Sequence, residues 1–395
     1  MSGRMASAGA LAKEAIHLYV DQFNSQGGAA GHKLEVVFAD DKSKPFYAER
    51  LAENLIQDDH VDFLMGVLSS ESAIKVSEVS CKYRKIFIGT THTASSLTIE
   101  HFQPYYFHTR RNTFQAMAAG ALFLKELRKT KPWHNLVYIG GDYIYGRSLL
   151  DELQYNLKRF NIDYRLSAAF WPKLYTRDYD PFITAILREQ PDILVIGLYG
   201  GDLRKFVSQC NARKLFPKII ACNFDAGDFY NTLMILKDEI PTGMYASTTY
   251  SPNWPETEEN RQFVKGYRQV TGKFPTVVVH DFYSALLLLV KAINEVGTPH
   301  DTEALVKAME AMEIKLPGDP EGFVSHVDRA THQIIQAISV GRLQDNATYP
   351  PATRMPGDWQ VFRAEDLLPP PEYVRDRRAN FKKRGSEGAK DESPE

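Results

Sequence analysis

Residues 61–73 read Val-Asp-Phe-Leu-Met-Gly-Val-Leu-Ser-Ser-Glu-Ser-Ala. An apolar run stops at Gly66, and the serine pair Ser69 and Ser70 precedes a patterned helix. A buried strand that ends in such a turn directs hydroxyls and backbone N–H groups to one point. Helix N-termini attract anions because their first N–H groups carry partial positive charge and lack intrahelical partners. The stretch therefore predicts a strand–turn–helix unit that binds the carboxylate or amide of a small ligand.

Strand and helix patterns alternate along the chain on both sides of this unit. A helical face in residues 11–23 precedes an apolar run at 34–39, which we predict to be a strand, and the alternation continues to residues 218–222. From about Trp254 helical patterns predominate. Strands spaced by helices of this size form parallel sheets with right-handed crossovers. The succession restarts near Asn135, as two similar lobes require, so we predict an α/β fold of two doubly wound parallel-sheet lobes.

Composition narrows the class of protein. The 395 residues suffice for about two domains at roughly 150 residues each, and 44% apolar and 24% charged residues are ordinary for a globular protein. A net charge of −2 gives no electrostatic case for nucleic acid, which we do not expect as a partner. The cysteines (Cys81, Cys210 and Cys222) match no zinc pattern. A bridge between Cys210 and Cys222 is one alternative, and buried free thiols are the one we expect.

The start of the chain differs from that of a complete doubly wound lobe. Such a lobe begins with a strand at the centre of its sheet, whereas this chain opens directly into a helix. A missing central strand leaves a gap with unpaired backbone on both neighbouring strands. Residues 1–8 carry no basic-plus-apolar export signal, so the sequence as it stands favours a cytoplasmic location.

Several further motifs, in their order and spacing, resemble the leucine/isoleucine/valine-binding protein family, which are solute-binding components of ABC importers. The motifs are residues 9–34, Asp40-Asp41, Gly66 to Ser72, Ile88 to Thr93, Asp142 to Gly146, Pro191 to Tyr199, and Phe282 to Leu286. The resemblance covers residues 9–345. It implies the type I periplasmic-binding-protein fold with a three-crossing hinge. We expect lobe 1 in residues 1–112 and 250–328, and lobe 2 in 113–249 and 329–365.

The resemblance also bears on both ends of the chain. Family members have a first strand, a glycine-rich loop and an export signal ahead of the helix that holds Gly9. We therefore expect a misassigned or truncated start and a periplasmic protein, or a cytoplasmic one if the start is genuine. Residues 366–395 are charged and contain prolines, and we predict that they form a disordered tail.

By family position, lobe 1 contributes hydroxyls to the ligand site. Ser70 occupies the place of a ligand-binding serine, with Ser69 beside it. Thr93 would share the carboxylate or amine of the ligand, and Thr91 and His92 lie at the same rim. Serines at such positions also commonly do no more than cap a helix, and a lone histidine is often structural.

Lobe 2 would contribute aromatic rings and one acid. Tyr145 and Tyr199 match family aromatics that cover the ligand, because tyrosine offers a flat face and one hydroxyl. Asp225 lies near the family's acid for an α-amino group; if it faces the cleft, an amino acid is the ligand. If it does not, the aromatic rim fits an aromatic or other apolar carboxylate. Arg110 or Arg111, at the first hinge, would pair a carboxylate, although a solvated arginine is commoner.

The predicted function is capture of a small carboxylate, an aromatic acid or a branched or apolar amino acid, by hinge closure, with an ABC permease as partner. Residues 171–207 are similar to a branch of the family associated with aromatic carboxylates, which favours that ligand class. We predict no cofactor and no metal. A cytoplasmic ligand sensor of the same fold is the alternative. No nucleophile–base pair, phosphate loop or metal motif is present in the sequence, so we do not expect an enzyme. An enzyme built from two Rossmann-like lobes, for instance a glycosyl transferase, is the third hypothesis.

Overall fold

The computed structural model describes residues 2, 6–225 and 229–391, which form two α/β lobes. The helices are α1 Ala6–Ser25, α2 Pro45–Gln57, α3 Ser70–Tyr83, α4 Thr113–Leu127, α5 Ile144–Arg159, α6 Asp180–Glu189, α7 Gly200–Ala212, α8 Phe229–Leu236, α9 Glu258–Thr271, α10 Val277–Val296, α11 Thr302–Glu310, α12 Ala364–Leu367 and α13 Pro371–Asp391. The strands are β1 Phe63–Gly66, β2 Ile86–Gly89, β3 Tyr106–His108, β4 Asn135–Gly140, β5 Arg165–Phe170, β6 Ile193–Gly197, β7 Ile220–Asn223, β8 Tyr245–Thr248, β9 Glu313–Ile314, β10 Ser325–Asp328, β11 Gln333–Ile335, β12 Ile338–Asp345 and β13 Arg354–Phe362.

The strands divide into one sheet per lobe. The lobe-1 sheet has the order β1-β2-β3-β11-β10-β9, and the lobe-2 sheet has the order β13-β12-β8-β7-β6-β4-β5. Pairing is parallel from β1 to β11 and from β8 to β5, and the remaining strands pair antiparallel at the other edge of each sheet. The predicted two-lobed α/β fold is confirmed, with sheets that are mixed at one edge.

Apolar side chains cover both faces of each sheet. In lobe 1, α1 and α10 lie on one face, and α2 and α3 lie on the other. In lobe 2, α4 and α5 oppose α6, α7 and α8. Burial on both faces explains why the parallel strands read as continuous apolar runs. Among the described helices, α10 alone is long and apolar enough to cross a membrane, and 78% of its apolar window is buried inside the protein.

The chain passes between the two sheets three times, after β3, after β8 and after β11. Gln333 of β11 pairs with His108 of β3, so the third crossing follows Ile335 and not residue 328, where we predicted it. The difference has a simple cause. A short turn joins β10 to β11, and antiparallel strands joined in this way stay in one sheet.

The predicted strand at residues 34–39 is wrong, because these residues belong to neither sheet. Together with β1 they line an apolar cavity of about 500 Å³. An extended segment becomes a strand only when a neighbour pairs with its backbone, and no described strand lies between this segment and β1.

The prediction of a disordered tail is also wrong, because α13 occupies Pro371–Asp391. Tyr373 and Val374 in its first turn are buried in the lobe-2 core. The segment is a highly charged helix, and its buried apolar residues, Tyr373 and Val374, lie near its start. Residues 392–395 lie outside the described part of the chain.

Candidate functional site

One narrow cavity lies between the lobes and brings together all eight predicted site residues. Its lining is Leu68, Ser69, Ser70, Glu71, Thr91, His92, Thr93, Tyr143, Tyr145, Tyr199 and Asp225. The cavity volume is about 30 Å³, which is room for one or two waters. The walls are therefore nearly in contact, and a larger guest requires them to separate.

The lobe-1 wall begins at the turn between β1 and α3. Gly66 has φ of +105°, a conformation that suits glycine and lets the chain reverse toward α3. Ser69 is the N-cap residue, but its side chain makes no capping bond; instead its hydroxyl donates to a carboxylate oxygen of Glu71 over 2.8 Å. The hydroxyl oxygen of Ser70 accepts from the backbone N–H of Ala94 at 3.4 Å. The turn thus places two hydroxyls beside the positive end of α3.

His92 fastens this turn to the neighbouring strands. Its Nδ1 lies 2.8 Å from the carbonyl oxygen of Val67, and its Nε2 lies 2.7 Å from the hydroxyl of Tyr106. A carbonyl only accepts, so Nδ1 donates and Nε2 accepts the tyrosine proton. Burial lowers the pKa of His92 well below its ordinary value, which keeps the ring neutral. Gly89 makes room for this contact, because a Cβ there would lie 2.5 Å from Nε2.

The two threonines of the lobe-1 wall have different partners. Thr91 donates its hydroxyl to the carbonyl of Val67 over 3.4 Å, within lobe 1. Thr93 donates to a carboxylate oxygen of Asp225 over 3.1 Å, which joins the two walls. Thr93 therefore links this wall to lobe 2.

The lobe-2 wall is aromatic. Tyr145, near the start of α5, stacks on Tyr143 with 5.6 Å between ring centroids. Its hydroxyl donates to the backbone carbonyl of Asp225 over 2.7 Å, which fixes the ring orientation. Burial raises the pKa of Tyr145 well above its ordinary value, so the hydroxyl keeps its proton. Tyr199 is the N-cap residue of α7 and lines the same cavity.

Asp225 faces the cleft, but its carboxylate also has a protein partner. Arg111 lies with its Nε 3.4 Å from Asp225 Oδ1, and both side chains are almost fully buried. The same guanidinium donates to the carbonyls of Phe224 and Ser247, at 3.2 and 2.9 Å. Burial lowers the pKa of Arg111, and the carboxylate of Asp225 acts in the opposite direction. The wall thus carries a neutralised ion pair instead of a solvated arginine.

Sequence reasoning gave no role to two residues that line the cavity, and it assigned Arg111 the wrong partner. Glu71 lies inside the stretch that defined the site, yet its carboxylate was not assigned a role. Leu68 was treated only as part of the apolar run. Arg111 was weighed as a partner for a ligand, whereas it pairs with Asp225. A buried arginine beside a hinge has no local sequence signal, because its burial depends on residues more than a hundred positions away.

The arrangement offers complementary groups to a small polar molecule. The hydroxyls and the helix N-terminus of the lobe-1 wall suit an anion, although Glu71 lies among them. Asp225 and the aromatic faces of the lobe-2 wall suit a cation or an apolar group. Among residues 2, 6–225 and 229–391, no group of three or more histidine, cysteine, aspartate or glutamate side chains is placed to hold a metal. Cys210 and Cys222 are buried free thiols, and Cys81 is an exposed one.

Comparison with known proteins agrees with this geometry. The family model described as periplasmic binding protein matches residues 1–348. A Leu/Ile/Val-binding protein of Rhizobium johnstonii is 26% identical over 316 residues, covering 78% of this chain and 81% of the relative. The match therefore spans most of both proteins.

Two solved structures share the fold. An amino acid ABC transporter substrate-binding protein from Pseudomonas fluorescens superposes with a TM-score of 0.83 at 20% identity, covering 96% of each chain. An ABC transporter solute-binding protein from Rhodopseudomonas palustris, in complex with 3,4-dihydroxybenzoic acid, gives 0.79 at 21% identity, covering 92% of this chain and 95% of that one. With the family model matched over most of its length and a two-lobed fold around a central cleft, the chain belongs to the periplasmic binding protein family.

Proposed function

We propose that this protein is the solute-binding component of an ABC importer and captures a small carboxylate between its lobes. The observation that supports this most is the convergence of Ser69 and Ser70 from lobe 1 with Tyr145 and Tyr199 from lobe 2 on one cavity. A ligand that touches both walls stabilises their approach, which is the physical basis of hinge closure. The closed form would then engage a membrane permease from the periplasm.

An apolar amino acid is the ligand class that the charges favour. Its carboxylate would lie at the N-terminus of α3, against the hydroxyls of Ser70 and Thr93. Its ammonium would lie near Asp225 and Glu71, the two carboxylates that line the cavity. Its side chain would face the rings of lobe 2. Leu/Ile/Val-binding relatives are consistent with this class.

An aromatic carboxylate is the second candidate, and a specific observation favours it. The carboxylate of Asp225 already accepts from Arg111 and Thr93, which reduces its capacity to hold an ammonium group. The stacked rings of Tyr143 and Tyr145 offer a flat aromatic surface for the ring of such a ligand. A structural neighbour binds a dihydroxybenzoate.

A thermal-shift panel tests the proposal and separates the two ligand classes. The panel contains leucine, isoleucine, valine and phenylalanine on one side, and benzoate, 4-hydroxybenzoate and 3,4-dihydroxybenzoate on the other. A ligand present at 100 times its Kd stabilises the native state by about 2.7 kcal/mol, so a binder raises Tm. A panel in which no compound raises Tm contradicts carboxylate capture.

The variant Ser70→Ala tests the site itself, with the panel compound that binds best. Removing a hydrogen bond to a charged ligand costs about 1.5–3 kcal/mol, so the Kd should rise roughly 10- to 100-fold in calorimetric titration. Ser77→Ala is the matched control, because Ser77 lies on the same helix but does not line the cavity. If Ser70→Ala and the unmodified chain bind the ligand with equal affinity, the N-terminus of α3 is not part of the binding site.

A further inference from the structure

The C-terminal helix α13 contacts both lobes. Its first turn is anchored on lobe 2, where the ring of Tyr373 lies 4.8 Å from that of Phe114 in α4 and 4.5 Å from that of Tyr155 in α5. Tyr373 and Val374 are 9% and 8% exposed and belong to the apolar core of that lobe. This end of the helix is therefore held by burial of apolar surface.

The middle of α13 contacts lobe 1. Arg378 donates to the carbonyls of Ile99, Thr98 and Ala330 at 2.9, 3.2 and 2.8 Å, and its guanidinium lies 4.3 Å from the ring of Phe102. These acceptors come from two separate segments of lobe 1, one before β3 and one between β10 and β11.

Two neighbours strengthen the lobe-1 contact. Arg377 donates from Nε to a carboxylate oxygen of Glu100 over 2.7 Å. The ring of Phe381 lies edge-on to that of His101 at 4.5 Å. Three side chains of α13 thus hold residues 98–102, while the turn before them holds lobe 2.

We propose that α13 is a strap across the hinge that favours the closed arrangement of the two lobes. Arg378 lies five positions after Tyr373, which is about 7.5 Å along a helix at 1.5 Å per residue. A helix this short is stiff and does not stretch when the lobes rotate apart. Opening of the cleft must therefore break one of its two attachments.

The lobe-1 attachment is the one that releases. It consists of hydrogen bonds and ring contacts at partly exposed side chains; Arg377, for example, is 37% exposed. Such contacts are exchanged for water at modest cost, whereas withdrawal of Tyr373 and Val374 exposes buried apolar surface. The strap thus stays attached to lobe 2, and its contacts with lobe 1 form when the cleft closes and break when it opens. This inference goes beyond ligand capture and holds whichever solute the cleft takes.

Distance measurement between spin labels tests the strap without any ligand, so its failure is distinguishable from failure of carboxylate capture. Labels are placed at Glu78→Cys on α3 and Asp151→Cys on α5, both exposed positions on helices that start at the cleft. Cys81→Ser removes the exposed native thiol. The full chain should give a distribution in pulsed electron paramagnetic resonance in which a short distance predominates over a minor, longer one. Arg378→Ala, and a chain that ends at Leu368, should add a longer component, with the open population raised about fivefold or more.

Arg375→Ala is the matched control on the same helix, because its side chain is 72% exposed and pairs with its neighbour Asp376. It should leave the distance distribution unchanged. Circular dichroism checks that every variant is folded, and Arg378→Ala alone decides the question if the shortened chain does not fold. Distributions that are identical in the full chain and Arg378→Ala overturn the proposal. An equal shift in Arg375→Ala does so too, because it would reflect a general effect of helix substitution.

Discussion

Helices cover the sheets of the two lobes in the same way, but the strands of the two sheets differ in how they are paired. Each is covered by apolar helices on both faces, so both sets of strands read alike in sequence. In lobe 2, β4 has parallel partners on both sides, β5 and β6. In lobe 1, β1 has a strand on one side and a cavity of about 500 Å³ on the other, with residues 34–39 along it. The contrast shows that an apolar pattern predicts burial, whereas a strand also requires a backbone partner.

Hydrogen exchange gives the largest expected difference between the lobes. Amides of residues 34–39 lack ladder partners, and Val36 and Val37 are 38% and 51% exposed. Amides of β6, central and fully buried, exchange only through extensive unfolding. We expect exchange at 34–39 to be faster by at least about 1,000-fold, measured by mass spectrometry of native protein. Comparable protection of the two segments would mean that residues 34–39 are paired in solution.

Different interactions stabilise the two walls of the cleft, and the variant Arg111→Met tests the one on the lobe-2 side. The lobe-1 wall is held by neutral hydrogen bonds through His92, whereas the lobe-2 wall relies on the buried pair of Arg111 and Asp225. Removing one member of a buried pair leaves an uncompensated charge, which costs about 3–5 kcal/mol. The free energy of unfolding, measured in urea, should fall by that amount.

A double variant separates charge from packing. In Arg111→Met with Asp225→Asn the stranded charge is gone, so the double variant should be more stable than Arg111→Met alone. If the double variant is equally unstable, the guanidinium acts through its bonds to the carbonyls of Phe224 and Ser247 and not through the ion pair.

The last expected effect depends on pH and concerns a buried carboxyl that joins the lobes. Glu152 of α5 accepts a hydrogen bond from Ser95 of lobe 1, and burial raises the pKa of Glu152 from 4.5 to about 8. Below pH 4.5 the group is protonated in both folded and unfolded chains, and its contribution to stability is fully present. That contribution is lost as the pH rises through about 8, because the unfolded chain releases the proton first.

Glu152→Gln should remove this pH dependence. Stability of the unmodified chain should decline between pH 4.5 and 8, by at most about 5 kcal/mol at roughly 1.4 kcal/mol per pKa unit, whereas the glutamine variant stays flatter over that range. Urea unfolding at several pH values measures both. Parallel profiles for the two proteins would mean that Glu152 ionises normally in the folded state.

Much of the site was predictable because topology places it. The carboxyl ends of parallel strands lie at one edge of a sheet, which groups the segments after β1 and β2 in lobe 1 and those after β4, β6 and β7 in lobe 2. That Ser70 and Asp225 share a cleft across the two sheets was predicted from the family resemblance, and both residues line one cavity in the structure. Their roles in ligand binding remain a prediction.

What the sequence did not indicate depends on long-range packing. Arg111 is buried because lobe 2 encloses it, and nothing within several residues marks that burial. Charge dominates the sequence of α13, which is why the sequence predicts a disordered tail there. The side chains of Tyr373 and Val374 nevertheless anchor the helix in the lobe-2 core. The third crossing was misplaced because a short turn between β10 and β11 is hard to distinguish from a linker by pattern alone.

The small volume of the cleft has a consequence for how quickly the protein responds to its surroundings. A solute of the size of leucine or benzoate does not pass through a space of about 30 Å³, so entry waits for the walls to part. In stopped-flow mixing, the apparent rate of association should level off at high solute concentration, at the frequency of parting. At high solute concentration the rate of binding would then be set by how often the hinge opens, whereas in a scarce supply it would follow the solute concentration.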